Sequence, residues 1–233
     1  MSWSHLVRGE RHAREARAQR TAVAPSLLAC DFTHLADEIA RVEKENVEFL
    51  HLDVMDGHFV KNITFGPPLV KSIASVAKTT LDTHLMIENP DRYIEAFINA
   101  GTHVLTIHVE ASTDVRRDLK NIRARNARAG LAFNPDCPFE KVEPYLGDID
   151  LLLVMSVFAG FGGQSFIEDS LKHVERATML RENHGHTFAI EIDGGITPES
   201  AKRARDAGAD ILVAGTAVFR SPDYGAAIKA LRG

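Results

Sequence analysis

The segment FAIEIDGGITPESAKRARDAGADILVAGT, residues 188–216, contains the signals of one complete strand–helix–strand unit. An apolar run at Phe188–Asp193 precedes two glycines, and Thr197-Pro198-Glu199 supplies the threonine N-cap and first-turn proline that begin a helix. Ala207-Gly208-Ala209 ends that helix at a glycine, and a second apolar run, Ile211–Ala214, follows. The segment therefore predicts two parallel strands joined by a helix.

The same alternation of short aliphatic runs and longer helical segments covers the chain from residue 22 onward. The predicted strands are Val23–Ala29, Phe49–Asp53, Leu81–Met86, Val104–His108, Gly130–Phe133, Leu151–Met155, Phe188–Asp193 and Ile211–Ala214. Eight such strands, each followed by a helix, predict a single-domain (β/α)8 TIM barrel of the α/β class over residues 22–233. An open doubly wound sheet would give the same alternation, and the positions of the polar residues favour the barrel.

Length, composition and charge fit one barrel and exclude several other classes. The chain has 233 residues, 45% of them hydrophobic, whereas a barrel of this kind has about 250 residues. The net charge of −5 predicts no nucleic-acid partner. No apolar run reaches the roughly 18 residues of a membrane span. Two cysteines are too few for a disulfide framework, so we expect a cytoplasmic protein.

Residues 1–21 differ in composition from the rest and are predicted to form a flexible N-terminal tail. Arginines recur from Arg8 to Arg20 together with Glu10 and Glu15, and apolar residues are sparse. The segment lacks the apolar core of a secretory signal. We assign no chemistry to it.

Polar side chains stand near the carboxyl ends of three predicted strands, where a strand covered on both faces should be apolar. His51 and Asp53 are two residues apart and therefore point to the same side of the second strand. His84 ends the third strand and Asp193 ends the seventh. Packing or helix capping would explain each residue alone. Together, at the face that carries barrel active sites, they predict a site for one divalent ion: Zn²⁺, Fe²⁺, Co²⁺ or Mn²⁺.

Glycine-rich segments follow the last three strands and predict a phosphate site. Gly194-Gly195 follow the seventh strand and Gly215-Thr216 follow the eighth, which is the usual phosphate position of a barrel. The loop Gly160–Ser165 is typical of a mobile lid whose N–H groups also contact phosphate. Ordinary turns would also explain these glycines. A metal ion and a phosphate at one mouth indicate a sugar phosphate as the small-molecule substrate.

Longer motifs resemble the ribulose-phosphate 3-epimerase family. The most specific is HLDVMDGHFV at residues 51–60, continued by NITFG at 62–66. The others are PSLL at 25–28, DTHLM at 82–86, VMSV at 154–157, GFGGQ at 160–164 and IDGGI at 192–196. The resemblance extends from about Ala24 to the C-terminus.

The resemblance implies a metal-dependent isomerase that interconverts D-ribulose 5-phosphate and D-xylulose 5-phosphate in the pentose phosphate pathway. It implies His51, Asp53, His84 and Asp193 as the metal ligands, with Asp53 and Asp193 also as the catalytic proton carriers. The implied substrate contacts are Ser26, His84, Gly160, Phe161, Gly162, Gly163, Asp193, Gly194, Gly195, Gly215 and Thr216. Met55, Met86 and Met155 would form the wall beside the reacting carbons. The resemblance also implies a homo-oligomer.

These implied roles agree with the chemistry of epimerisation through an enediolate. Inverting C3 requires removal of a proton acidified by the neighbouring ketone and return of a proton to the opposite face. Two carriers are therefore needed, one starting ionised and the other protonated. The metal would act as a Lewis acid. The methionines, which elsewhere often only fill space, would keep the wall dry.

Several positions depart from the usual family pattern. Ala159, preceded by Phe158, replaces a proline before the first lid glycine, Lys61 replaces another proline, and Thr83 replaces a methionine of some members. We expect Ala159 to free the lid from a φ constraint. His108 and Glu110, after the fourth strand, are interpreted as rim structure (a pair for which the sequence indicates no partner).

Three other functions share part of this pattern. A 3-epimerase of a ketohexose 6-phosphate such as allulose 6-phosphate is the nearest, and the NITFG motif favours the pentose enzyme. Hexulose-phosphate synthases and decarboxylases resemble the scaffold but rely on a lysine that is absent between His51 and Asp56. A non-catalytic phosphosugar-binding barrel is disfavoured because both proton carriers are present.

Overall fold

In the computed structural model, residues 21–233 are described, and within them eight parallel strands alternate with helices. The strands are β1 (Ala22–Pro25), β2 (Phe49–Met55), β3 (Thr80–Met86), β4 (Val104–His108), β5 (Arg128–Phe133), β6 (Leu151–Met155), β7 (Ala189–Asp193) and β8 (Ile211–Ala214). Each strand pairs with the next from β2 to β8, and β1 pairs with β8. A parallel bridge between Ser26 and His51 completes the ring. The predicted (β/α)8 TIM barrel is confirmed.

Helices cover the outside of the barrel. They are α1 (Leu35–Glu43), α2 (Pro67–Val76), α3 (Ile94–Asn99), α4 (Val115–Ala124), α5 (Ser170–His184), α6 (Pro198–Ala207), α7 (Thr216–Phe219) and α8 (Tyr224–Arg232). The predicted Thr197 N-cap of α6 forms a capping box with Ser200. After β5 only two 3-10 turns, Phe139–Lys141 and Glu143–Tyr145, occur where an α-helix was expected. Prolines at 135, 138 and 144 explain this difference, because proline lacks the N–H that a helix interior requires.

Two apolar layers hold the barrel together. The larger lies between the strands and the helices and contains side chains such as Leu50, Leu131 and Ile192. The smaller fills the barrel interior and includes Ala24, Phe49, Val104, Leu153, Met155, Ile211 and Val213. Residues of a strand contribute alternately to the two layers, so any polar residue on an inward position lies inside the barrel.

Gly130 on β5 leaves no room for a side chain beside its register partner Thr106 on β4. A Cβ placed on Gly130 would lie 2.1 Å from Thr106 Oγ1. We expect Gly130→Ala to lower the free energy of unfolding, measured by urea denaturation, by about 1–3 kcal/mol, the usual cost of overpacking a core. Gly162→Ala is the control, since a Cβ there would have no other atom within 4 Å. An unchanged urea midpoint for Gly130→Ala would contradict this close approach.

The carboxyl ends of two strands differ from the predictions. β1 ends at Pro25, and Leu27–Ala29 forms a 3-10 turn in place of the predicted strand end. β2 continues past Asp53 to Met55, while β3 ends at Met86 as predicted, two residues past His84. Met55 and Met86 are buried and paired in register. The ligands on β2 and β3 therefore lie within the strands, one layer below the barrel mouth.

The tail predicted for residues 1–21 lies outside the described residues, apart from Thr21, which is buried. Within residues 21–233, every helix is too short or too polar to span a bilayer.

Candidate active site and metal centre

The four predicted metal ligands converge inside the barrel from β2, β3 and β7. His51, Asp53, His84 and Asp193 each offer one ligand atom, and these atoms lie within 4.8 Å of one another. Asp53 Oδ1 is 3.4 Å from His51 Nε2 and 3.4 Å from His84 Nδ1. Ligands about 2.0–2.2 Å from a common ion are themselves roughly 3–4 Å apart, so the spacing suits one divalent cation.

The hydrogen bonding of His51 shows whether the four side chains of the cluster suit a cation. Its Nδ1 lies 2.6 Å from Asp82 Oδ2, whereas its buried Nε2 has no hydrogen-bond partner among residues 21–233. An imidazole that donates from Nδ1 to a carboxylate and directs Nε2 into a cluster of acids has the arrangement of a metal-bound histidine. The residues present therefore fit a divalent cation.

Two acids beneath this cluster were not predicted as site residues. Asp82 and Glu191 are fully buried on the inner side of His51, and Glu191 Oε1 is 3.9 Å from His51 Nδ1. Burial, and then the charge of Asp82, raises the pKa of Glu191 well above its ordinary value. The available signal was spacing, because Asp82 precedes His84 by two residues and Glu191 precedes Asp193 by two. Each acid therefore shares the inward face of a predicted ligand.

The pKa values of Asp53 and Asp193 are shifted in opposite directions. Burial, and then the negative charge of Asp53, raises the pKa of Asp193 to about 7. Burial also raises the pKa of Asp53, but interactions with His51 and His84 outweigh burial and hold the pKa of Asp53 well below its ordinary value. Ser26 Oγ also donates a 2.5 Å hydrogen bond to Asp53 Oδ2. Near neutral pH, Asp53 is therefore ionised while Asp193 retains a proton part of the time.

We expect the affinity for a divalent cation to increase with pH between about pH 5.5 and 8.5. Burial lowers the pKa of His51, but Asp53 and Asp82 raise it overall, and the pKa of Asp193 is about 7. A cation must displace the proton on His51 Nε2 and competes with the partial proton on Asp193, and more protons are bound at low pH. Calorimetric titration with Co²⁺ in buffers of different ionisation enthalpy would measure the affinity and the protons released. A pH-independent affinity without proton release would contradict these protonation states.

A cavity of about 340 Å³ opens directly above the cluster. The predicted site residues that line it are Ser26, Asp53, Met55, Met86, Met155, Gly160, Phe161, Gly162, Gly163, Asp193, Gly194, Gly195, Gly215 and Thr216. His51 and His84 are fully buried below its floor. Asn62, Gln164 and Arg220 also line the cavity and were not predicted as site residues.

The loop after β7 depends on two glycines. Gly194 has φ +119°, and a Cβ there would lie 2.5 Å from Val157 Cγ2. Gly195 has φ +61°, and a Cβ there would lie 2.5 Å from the backbone nitrogen of Phe166. Only glycine allows the β7 loop to pack this closely on the β6 loop. Because Gly194 and Gly195 carry no side chains, the backbone of the β7 loop can also approach a ligand closely.

Hydrogen bonds hold the base of the predicted lid. Asn62 Nδ2 donates to the Gly160 carbonyl at 2.9 Å, and the Ala159 N–H donates to Asn134 Oδ1 at 3.1 Å. A proline at 159 would lack that N–H, so alanine replaces a φ constraint with a hydrogen bond. Phe158 and Phe161 are half exposed on the lid.

The interpretation of His108 as rim structure is wrong. His108 is fully buried, and its Nε2 lies 2.8 Å from His84 Nε2. Its Nδ1 lies 3.2 Å from Glu110 Oε2. Nothing in either strand predicts the contact between the two rings, because the register of β3 and β4 pairs His84 with Thr106 and not with His108.

Comparison with known proteins agrees with the motifs. Residues 22–219 match the ribulose-phosphate 3 epimerase family. The ribulose-phosphate 3-epimerase of Bacillus subtilis is 44% identical over 91% of this chain and 98% of its own, and that of Synechocystis sp. is 43% identical over 90% and 92%. The chloroplastic ribulose-5-phosphate-3-epimerase of Arabidopsis thaliana is 41% identical over 90% of this chain and 75% of its own.

Solved structures share the fold at low sequence identity. KGPDC from Streptococcus mutans superposes with a TM-score of 0.70 at 14% identity, covering 91% of this chain and 95% of that one. A 3-hexulose-6-phosphate synthase superposes with a TM-score of 0.62 at 18% identity, covering 91% and 98%. These likenesses support the barrel architecture.

Proposed function

Because this chain belongs to the ribulose-phosphate 3-epimerase family, we propose that it interconverts D-ribulose 5-phosphate and D-xylulose 5-phosphate at the site formed by His51, Asp53, His84 and Asp193. The observation that carries the assignment is the pair of carboxyl groups in one cavity whose pKa values shift in opposite directions. Such a pair supplies a base and an acid at the same pH.

Each aspartate acts on one face of the sugar. The ionised carboxylate takes the C3 proton, and the protonated carboxyl group returns a proton to the opposite face. When bound, a divalent cation supplies Lewis-acid stabilisation of the negative charge that develops on the substrate oxygens. Because the two carboxyl groups exchange protonation states in each turnover, the pair serves the forward and the reverse reaction equally.

Other cavity residues orient the substrate and exclude water. Ser26 holds Asp53 through its 2.5 Å hydrogen bond, which keeps the carboxylate aimed and ionised. Met55, Met86 and Met155 form a wall that has no proton to deliver to the intermediate. Backbone N–H groups of the lid glycines and of Gly194, Gly195, Gly215 and Thr216 bind the phosphate.

The guanidinium of Arg220 supplies positive charge at the phosphate end of the cavity. Arg220 lines the cavity at the end of α7, where its backbone N–H bonds to Thr216. We expect Arg220→Gln to raise KM for D-ribulose 5-phosphate on the order of tenfold with kcat nearly unchanged, because uniform binding is lost. Arg92→Gln, outside the cavity lining, is the control. An effect as large on unphosphorylated D-ribulose would contradict a contact with phosphate.

The experiment that tests the function uses D-ribulose 5-phosphate in D₂O, with and without a chelator. We expect D-xylulose 5-phosphate carrying deuterium at C3, and we expect the chelator to suppress both product and label because the cation is part of the site. Restoring Zn²⁺, Fe²⁺, Co²⁺ or Mn²⁺ separately identifies the ion that supports turnover. Binding of the sugar phosphate without exchange at C3 would instead identify a non-catalytic barrel.

The barrel of residues 22–233 carries this activity without the tail, and it functions in a homo-oligomer. The first proposal is supported by the position of every site residue on the barrel, and the second by family resemblance. Activity of a chain lacking residues 1–20, and the molar mass from light scattering, test them.

A further inference from the structure

His84 contacts a second buried imidazole on the side opposite the metal cluster. Its Nδ1 faces Asp53, while its Nε2 lies 2.8 Å from His108 Nε2. The two rings are stacked, with centroids 5.0 Å apart and planes at 23°. The far side of His108 packs on Phe59, at a centroid distance of 4.8 Å. His108 is therefore held against His84 and is closed off from water.

Only one placement of protons allows His84 to bind a cation through Nδ1. Nδ1 must then be unprotonated, so Nε2 carries the proton and donates it to His108 Nε2. His108 must in turn carry its proton on Nδ1, which lies 3.2 Å from Glu110 Oε2. This series of hydrogen bonds ends at Glu110, whose carboxylate can only accept. Each hydrogen bond of the series is therefore donated in the same direction, from His84 to His108 and from His108 to Glu110.

Glu110 is itself fixed. Its Oε1 accepts the backbone N–H of Asn134 at 2.8 Å. Burial raises the pKa of Glu110, but its interactions with His108 and the hydrogen bond from the Asn134 N–H together outweigh burial and lower the pKa to about 2. The carboxylate is therefore available as a charged acceptor over the whole neutral range.

We propose that His108 and Glu110 are positioning residues that set the tautomer and orientation of His84, so that Nδ1 is presented to the cation. The inference rests on the metal site of the proposed function. Asp82 plays the corresponding part for His51, since its Oδ2 lies 2.6 Å from His51 Nδ1. The two histidines of the cluster thus each have a dedicated carboxylate, directly for His51 and through His108 for His84.

The test measures cation affinity of the folded protein, which does not depend on turnover. We expect His108→Leu to weaken binding of Co²⁺ or Zn²⁺ by about 10–100-fold, the usual effect of losing the partner of a ligating histidine. His108→Gln offers one acceptor and one donor in similar positions and should recover most of the affinity. His173→Leu is the matched control, since His173 also stacks on an aromatic ring, that of Phe139, away from the cluster.

Glu110→Leu tests the same series of hydrogen bonds. It should disturb core packing less than His108→Leu does, because the Glu110 side chain is 21% exposed. It should weaken cation binding severalfold, while Glu110→Gln, which keeps an acceptor oxygen, should be near the wild type. Unchanged cation affinity in folded His108→Leu or in Glu110→Leu would overturn the proposal. A protein that loses cation affinity in these variants but never epimerises the sugar would refute the proposed function and leave the positioning role standing.

Discussion

Asp193→Asn is expected to lower kcat in both directions by about 10²–10⁴, because it removes one of the two proposed proton carriers. The amide keeps the shape of the side chain but cannot hold the exchangeable proton that burial and the Asp53 charge keep on Asp193. Steady-state rates with D-ribulose 5-phosphate and D-xylulose 5-phosphate, at cation concentrations that saturate the variant, measure the loss.

Exchange of the C3 proton with D₂O is a second measurement on Asp193→Asn. With Asp53 intact, Asp193→Asn should still exchange the C3 proton of one epimer with D₂O while failing to invert it. Asp206→Asn, an exposed aspartate on α6 paired with Lys202, is the matched control and should retain wild-type turnover. Near-normal inversion by Asp193→Asn would remove Asp193 from the proton path.

Asp53→Asn is expected to cause a comparable loss of kcat and a larger loss of cation affinity. Asp53 lies between the two histidines, 3.4 Å from His51 Nε2 and from His84 Nδ1, and accepts the hydrogen bond of Ser26. The variant therefore loses a negative ligand as well as a base. Kinetics together with cation titration separate the two losses.

The exchange pattern of Asp53→Asn should complement that of Asp193→Asn. Residual washout of the C3 proton is expected with the other epimer, because the remaining carboxyl group faces the opposite side of the sugar. Washout of the same epimer by both variants would mean that one base serves both faces. Circular dichroism would show that both variants remain folded.

Much of the site could be predicted from periodicity. His51 and Asp53 share a face because strand side chains alternate, and Asp193 precedes two glycines at the point where a strand must turn. The same rule places Asp82 and Glu191 on the inward face, two residues before His84 and Asp193, so these acids were predictable as well. The prediction of a helix after β5 was wrong for a local reason as well, since three prolines lie in that segment.

Other features depend on contacts between distant parts of the chain. His84 and His108 are 24 residues apart, and nothing in either strand specifies that their rings meet. Arg220 reaches the cavity because α7 begins directly after β8, and the Ala159 N–H donates to Asn134 in the loop after the neighbouring strand β5. The opposite pKa shifts of Asp53 and Asp193 likewise arise from burial and neighbouring charges.

Strand alternation and turn chemistry are local properties, so the residues alone predict the barrel, the faces on which the predicted metal ligands lie and the glycines of the loops after β7 and β8. The partner of each histidine, the protonation of each carboxyl group and the walls of the cavity are set by tertiary contacts. Those properties depend on the strand register and on the distances between β2, β3, β4 and β7, which are fixed when the ring closes.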